Sequence, residues 1–230
     1  MKNKVGIICA VDREAAPFIS FIEDYEISEK AMLKFYSGKI GDIPVVTLFC
    51  GVCKTNAAIA TQILIDTYGC NIIINAGTAG GMDTKIKLLD TVISTESSYW
   101  DISEGILMEY HPKLESVYFK ADKDLLDLVK QIVVKNVSEG KIHFGRMITG
   151  EAFIEDKYRD EINAHFSPLS VDMETASIAH VCYVNKIPYI SIRTITDTAE
   201  HSGKQEFDLN CGKASQISAN IVTAILNEMR

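Results

Sequence analysis

Three short segments each end an apolar run on carboxylates: Val11-Asp12-Arg13-Glu14, Val171-Asp172-Met173-Glu174, and Arg193-Thr194-Ile195-Thr196-Asp197. One acid at such a place is ordinarily a helix cap or a turn residue, because its oxygens accept from free backbone N–H groups. Three at equivalent positions weaken that reading, and carboxyl groups gathered in one crevice are equipped for proton transfer. Two further strand ends carry polar or glycine-rich turns: Gly51-Val52-Cys53-Lys54 and GTAGG at 77–81. Cys50 and Cys53 form a single CxxC with no second pair, and the five histidines are scattered. A strand end followed by a turn explains the two cysteines better than a metal or redox site.

Such side chains need strands that stop where the acids begin. VGIICA (5–10) and NIIINAG (71–77) read as buried strands, the second ending in the glycine-rich loop. FYSGKIGDIPVVTLFC reads as a hairpin turning near Gly41-Asp42. TNAAIATQILIDTYG (55–69) has helical spacing, with Gly69 as its stop. Residues 90–100 alternate like a strand, 122–136 form an amphipathic helix, and 143–153 read as a strand running into a loop. LSVDM (169–173) enters the helix ETASIAHVCYVNK. PYISIRTIT (188–196) is a strand, and 213–229 a closing helix. Strands alternating with helices imply an α/β fold with a largely parallel sheet. Ligands of such sheets bind at the carboxyl ends of the strands.

The composition narrows the partners. Thirty-one acidic against 23 basic residues leave a net charge of −8, which argues against nucleic acid. No apolar run nears the roughly 20 residues that cross a bilayer. The N-terminus, MKNKVGIICAVDRE, meets acids too early for a secretory segment, so a cytoplasmic protein is expected. No linker or repeat divides the 230 residues, and one domain over 1–230 is expected. Its core needs no metal or disulfide staple. Cys9, Cys50, Cys70 and Cys182 sit in apolar runs and read as small core residues.

Seven segments, in order and spacing, identify the chain as resembling the 5′-methylthioadenosine/S-adenosylhomocysteine nucleosidases of the nucleoside phosphorylase superfamily. They are GIICAVDREAA, GVCKTNAA, NAGTAGG, DTVIS, GEAFI, VDMETAS and RTITDTAE. The resemblance implies a three-layer α/β/α sandwich with a central mixed, largely parallel sheet. It also implies hydrolysis of the N-ribosidic bond of an adenine thioether nucleoside, through an oxocarbenium-like ribose, with neither cofactor nor metal.

By the same resemblance, Asp197 is the general acid that protonates adenine N7, a task suited to a carboxyl in a dry pocket. Glu14 positions and deprotonates the attacking water; by spacing alone Asp12 could be the active acid, although it reads rather as a turn or cap residue. Glu174 binds the ribose 2′- and 3′-hydroxyls, since a carboxylate offers a diol two acceptor oxygens. Met173 lies against the sugar face, Arg193 near Glu174 and the water, and Thr78 near the water. Arg193 would balance the acids Asp197, Glu14 and Glu174. Phe153 stacks on adenine, the Ile154 backbone reads the base edge, and Phe207 is a second aromatic near the base. Val52, in GVCK, belongs to the same substrate site.

The chain departs from the family at Trp100-Asp101, where a His-Asp pair is usual, and in a shorter 102–112 loop. Leu107, Met108 and Pro112 are the apolar candidates there for the alkylthio group, partly across a homodimer interface. Ile106, Leu107 and Met108 would suit such an interface or burial in the same chain. His111, His143, His165, His180 and His201 fill no catalytic position. A phosphorylase of the same fold would need paired arginines for phosphate. Arg13, flanked by Asp12 and Glu14, is the only arginine before Arg146. A hydrolase of another adenine nucleoside, of aminodeoxyfutalosine or deoxyadenosine type, would keep the three acids and differ at 102–112. A nucleoside sensor without turnover would have lost Glu14 or Asp197.

Overall fold

In a computed structural model, described over residues 3–136, 139–152, 154, 156–201 and 203–229, the chain builds one ten-stranded mixed sheet. Its centre is parallel: β4 (Ile43–Phe49), β1 (Val5–Cys9), β5 (Ile72–Gly81) and β10 (Tyr189–Asp197) lie side by side. Their continuous apolar character follows from burial on both faces. Beyond β10 come β6 (Thr91–Tyr99), β8 (Ile142–Thr149) and β9 (Ser170–Asp172), and β9 returns to pair with β5. These five strands thus close on themselves, with a small apolar cluster of their own that includes Val92, Met147, Leu169 and Ile195. At the opposite margin β3 (Leu33–Ile40) and β2 (Glu23–Lys30) extend the sheet, and β7 (Phe119–Lys120) adds to β6.

The period-two alternation of the central strands sets the layers. Val5, Ile7, Ile74 and Ile192 face α1 (Asp12–Phe21), α4 (Lys123–Asn136) and α7 (Lys204–Glu228). Ile8, Ile73, Leu48 and Tyr189 face α2 (Lys54–Asp66), α3 (Glu104–Glu109) and α6 (Thr175–Asn185). Each fully buried Ile or Leu contributes about 1.5–3 kcal/mol, so the two faces together hold the sandwich. A seventh helix, α5 (Asp156–Phe166), packs Ile162 and Phe166 on Met82 and Ile148. Cys9, Cys50, Cys70 and Cys182 are buried in these layers, as their surroundings suggest.

Several elements depart from the sequence reading. The GTAGG segment is no loop: β5 continues through Gly81, with Gly80 and Gly81 paired to Val171 and Ser170 of β9. Small side chains let β9 and β10 crowd one strand there. The acid-rich turn after β1 is the first turn of α1. The polar strand β2 is exposed throughout, so it lacks the apolar alternation by which a strand is recognised. The 102–112 loop contains α3, and α7 starts at Lys204, well before residue 213.

Candidate active site

A cavity of about 530 Å³ opens where β1, β5, β9 and β10 end, and Glu14, Glu174, Arg193 and Asp197 all line it. The strand-end acids therefore do converge. Each of the two acid pairs divides its labour. In the first, Asp12 accepts the Arg13 N–H at 2.8 Å at the start of α1, while Glu14 is 1% exposed and turned inward. Glu14 sits at the third position of α1 and reaches back to the N–H groups of Ala10 (2.7 Å) and Val11 (3.2 Å). Its other oxygen accepts from the Thr78 N–H (2.8 Å) and hydroxyl (2.6 Å). Gly77, at φ 142°, makes room: a Cβ there would stand 2.5 Å from the Glu14 carboxyl carbon.

In the second pair Asp172 is the cap. It accepts the N–H groups of Glu174 (3.2 Å) and Thr175 (3.0 Å), and the hydroxyls of Thr149 (2.7 Å) and Thr175. That leaves Glu174 to face the cavity, tied by the Cys53 N–H at 3.0 Å. Cys53 holds φ 86° and ψ 161°, a conformation otherwise the province of glycine.

Arg193 is 1% exposed and joins both pairs. Its Nη2 lies 3.2 Å from Glu174 and its Nη1 3.9 Å from Glu14, and its Nε stands 3.1 Å from Asp172, outside hydrogen-bond geometry. Donation to the Thr78 carbonyl (2.8 Å) and to Asn75 Oδ1 (2.9 Å) completes its shell. Burial opposes its charge, but the three carboxylates more than compensate and raise its pKa. The third acid it balances is thus Asp172 and not Asp197, a correction to the sequence reading. Burial pushes the Glu174 carboxyl up to about 7, against the pull of Arg193.

Asp197 stands apart, at the end of β10. Its carboxyl accepts the Thr196 hydroxyl at 2.8 Å and rests on Gly80, where a Cβ would lie 3.0 Å from Oδ2. Burial raises its pKa above the ordinary carboxylate range. An acid of raised pKa on one side and an arginine-bound carboxylate cluster on the other can divide proton donation from ligand and water binding.

Val52, Met173, Ile154, Thr78 and Phe207 line the same cavity. Phe153 lies outside the described residues. Arg13 turns away from the cavity, pairing with Asp208 at 2.7 Å and covering the Phe207 ring at 5.1 Å. Leu107 is 7% exposed and packed in the α2/α6 layer, which removes it from the alkylthio candidates. His143 and His165 pair with Asp90 and Glu104, and His180 stacks on Phe119. Asn75, Asp172 and Arg159 went unrecognised in the sequence. Asn75 and Asp172 lie in quoted motifs but were given no role of their own, and Arg159 carries no motif at all.

A mixed α/β sheet with a carboxylate-lined cavity at its strand ends defines a class. The chain belongs to the Phosphorylase superfamily, whose sequence profile matches residues 4–227. It is 34% identical, over 98% of its length and 100% of the relative, to a 5′-methylthioadenosine/S-adenosylhomocysteine nucleosidase of Staphylococcus carnosus. To the enzyme of the same name from an Exiguobacterium species it is 35% identical, with 98% of each chain covered. The crystal structure of such a nucleosidase from Colwellia psychrerythraea, in complex with adenine, is 28% identical. It superposes with a TM-score of 0.91, covering 100% of this chain and 96% of the other.

Proposed function

We propose that this chain is a hydrolase that cleaves the N-ribosidic bond of 5′-methylthioadenosine and S-adenosylhomocysteine, releasing adenine and the thioribose. One observation carries it: Asp197 is held away from Arg193 with a raised pKa, while Glu14 and Glu174 flank that arginine in the same cavity. Asp197 gives its proton to adenine N7, and the bond from ribose carbon 1′ to N9 breaks as the base leaves neutral. Water, held between Glu14 and the Thr78 hydroxyl, adds its oxygen to carbon 1′ and passes a proton to Glu14. Solvent returns that proton to Asp197. The diol donates to Glu174, and these hydrogen bonds favour the ionised form that burial alone disfavours. Met173 covers the sugar face. The Ile154 backbone reads the base edge, and Phe207 and Val52 line the same cavity. No group in this scheme calls for a metal or cofactor.

Phosphate is a poor substitute for water here. A dianion beside Glu14 and Glu174 meets like charge, worth several kcal/mol at ~4 Å even with an effective dielectric of ~20. The one arginine among them is already shared by three carboxylates. Adenine release is therefore expected at full rate in phosphate-free buffer, with free methylthioribose as co-product, and Glu14→Gln is expected to abolish most of it. Dependence on added phosphate, with the sugar emerging as its 1-phosphate, would replace the hydrolase by a phosphorylase. A substrate panel that ranks aminodeoxyfutalosine or deoxyadenosine first would keep the chemistry and change the substrate.

Ile59 on α2, Ile106, Met108 and Tyr110 at α3, and Tyr183 and Val184 on α6 are exposed apolar side chains on one helical layer. Covering them is the basis for a homodimer, with Ile106 and Met108 placed to meet the partner. Light scattering that returns the mass of one chain would exclude it. A cytoplasmic place in methionine salvage fits an enzyme of small thioether nucleosides, and among the described residues no helix is long and apolar enough to cross a membrane.

A further inference from the structure

The wall beside Asp197 contains an arginine that the scheme above leaves unused. Arg159, on α5, is 8% exposed and lines the same cavity as Asp197. Its Nη1 donates to the Gly81 carbonyl at 2.8 Å and lies 3.3 Å from Met82 Sδ. Its Nε is buried with no hydrogen-bond partner among the described residues. Gly80, the preceding residue of β5, is the floor on which the Asp197 carboxyl rests. The guanidinium and the carboxyl thus rest on consecutive residues of one strand, and Arg159 donates to the Gly81 carbonyl and Met82 Sδ of β5 and its extension.

We propose that Arg159 is a positioning residue for proton transfer: anchored to Gly81 and Met82, its charge stabilises the Asp197 carboxylate left behind when the base takes the proton. The role holds only if Asp197 is the proton donor proposed above. A buried acid without any nearby cation keeps its proton too tightly to give it to a purine nitrogen. A direct bidentate ion pair errs the other way and leaves the resting acid already ionised. A guanidinium fixed to the adjacent backbone stands between these extremes.

The other charged groups around Asp197 do not do this. Arg193, four residues back on β10, is committed to Glu14, Asp172 and Glu174. From α7, Lys204 lines the cavity, and Glu206 is an acid whose charge works against ionisation of Asp197. Glu14 and Glu174 lie across the cavity. Burial pushes the Asp197 carboxyl up, the Thr196 hydroxyl and Arg159 pull it back, and Glu206 adds to the push.

The test is the pH profile of kcat for the full chain on methylthioadenosine. Activity needs Asp197 protonated, so it falls as pH rises through that pKa. Arg159→Met is expected to move this alkaline limb upward by roughly 0.5–1 pH unit, as loss of a nearby cation weakens the acid. The plateau is expected to fall roughly tenfold, because a weaker acid transfers its proton less readily. Arg159→Lys keeps the charge and is expected to keep the limb near the parent position, and Glu206→Gln is expected to move it downward. If Arg159→Met does not fold, Arg159→Gln serves as the neutral variant. A limb that stays in place in the folded neutral variant, or Lys and neutral variants that lose turnover and thermal stability alike without moving it, overturns the role of Arg159. Asp197→Asn separates the two ideas. It should cost at least ~10² in turnover, and a near-parent rate would overturn the proton-donor assignment itself.

Discussion

The two halves of the cavity are built on opposite plans. On one side four charged groups, Glu14, Asp172, Glu174 and Arg193, are almost wholly buried and joined by contacts of 3.1–3.9 Å. Backbone N–H groups of residues 10, 11, 53, 78, 174 and 175 close the network. On the other side one carboxyl, Asp197, accepts one hydroxyl and rests on a glycine. The crowded half fixes geometry, since each oxygen already has a direction imposed on it. The sparse half favours a neutral carboxyl, because burial raises the Asp197 pKa and only the Thr196 hydroxyl and Arg159 oppose it. One cavity therefore contains a rigid ionic platform and a weak acid, separated by the four-residue interval between Arg193 and Asp197 on a single strand.

Removing the cation is the most direct way to break the contrast. Arg193→Met leaves three buried carboxylates without their counter-ion, and breaking such a pair costs about 3–5 kcal/mol. Urea unfolding should show that loss together with near-complete loss of turnover. A variant as stable as the parent would mean that the crowded half does not depend on its ion pairs.

Glu174→Gln is a smaller change that sharpens the contrast. Losing charge-assisted bonds to the diol is worth about 1.5–3 kcal/mol of substrate binding. A 2′-deoxy nucleoside should lose less from the substitution, and equal losses on both would count against the diol role. The same variant has a signature in stability. The folded-state pKa of Glu174, about 7, lies above its ordinary 4.5. Its contribution is thus fully present below about pH 4.5 and lost as pH rises toward 7. Parent stability relative to Glu174→Gln should fall across that window and level off above it. A difference that is flat with pH would show that burial does not govern this carboxyl.

The least effect is expected at Cys53, whose backbone carries the strain that aims its N–H at Glu174. Glycine adopts that conformation freely, so Cys53→Gly should raise stability by up to about 1–3 kcal/mol while turnover stays close to parent. Thermal melts and initial rates check both halves of the statement. Destabilisation would indicate that the Cys53 side chain contributes more through packing than its backbone costs.

Legibility in the sequence followed burial. The central strands and α2, α4 and α6 announce themselves because their apolar residues report which side meets the core. Motif order carried Glu14, Glu174, Arg193, Thr78, Met173 and Asp197 to their places in one cavity. The exposed strand β2 had no such signal, because hydrogen bonds to β3 hold it and neither face is buried. GTAGG looked like a loop because glycine is a poor strand former, yet β9 and β10 need those small residues to pair on both sides of β5.

What the sequence by itself determined is the class of fold, the family and the identity of the acids, since each depends on residue types at short spacing. What the tertiary structure decided is which contacts each acid makes. Asp12 stayed at the start of α1, Glu14 and Glu174 reached the cavity, and Asp172 came to both the start of α6 and the cavity wall. In the first pair the inward acid, Glu14, accepts the N–H groups that precede α1, and in the second Asp172 accepts those that open α6. Arg193 acquired Asp172 in place of Asp197, and Arg159 came beside Asp197 from another helix. Those outcomes depend on pairings across tens of residues, above all the return of β9 to β5. A local pattern cannot encode them, because the energy of a buried charge is set by every group around it and not by its neighbours in the chain.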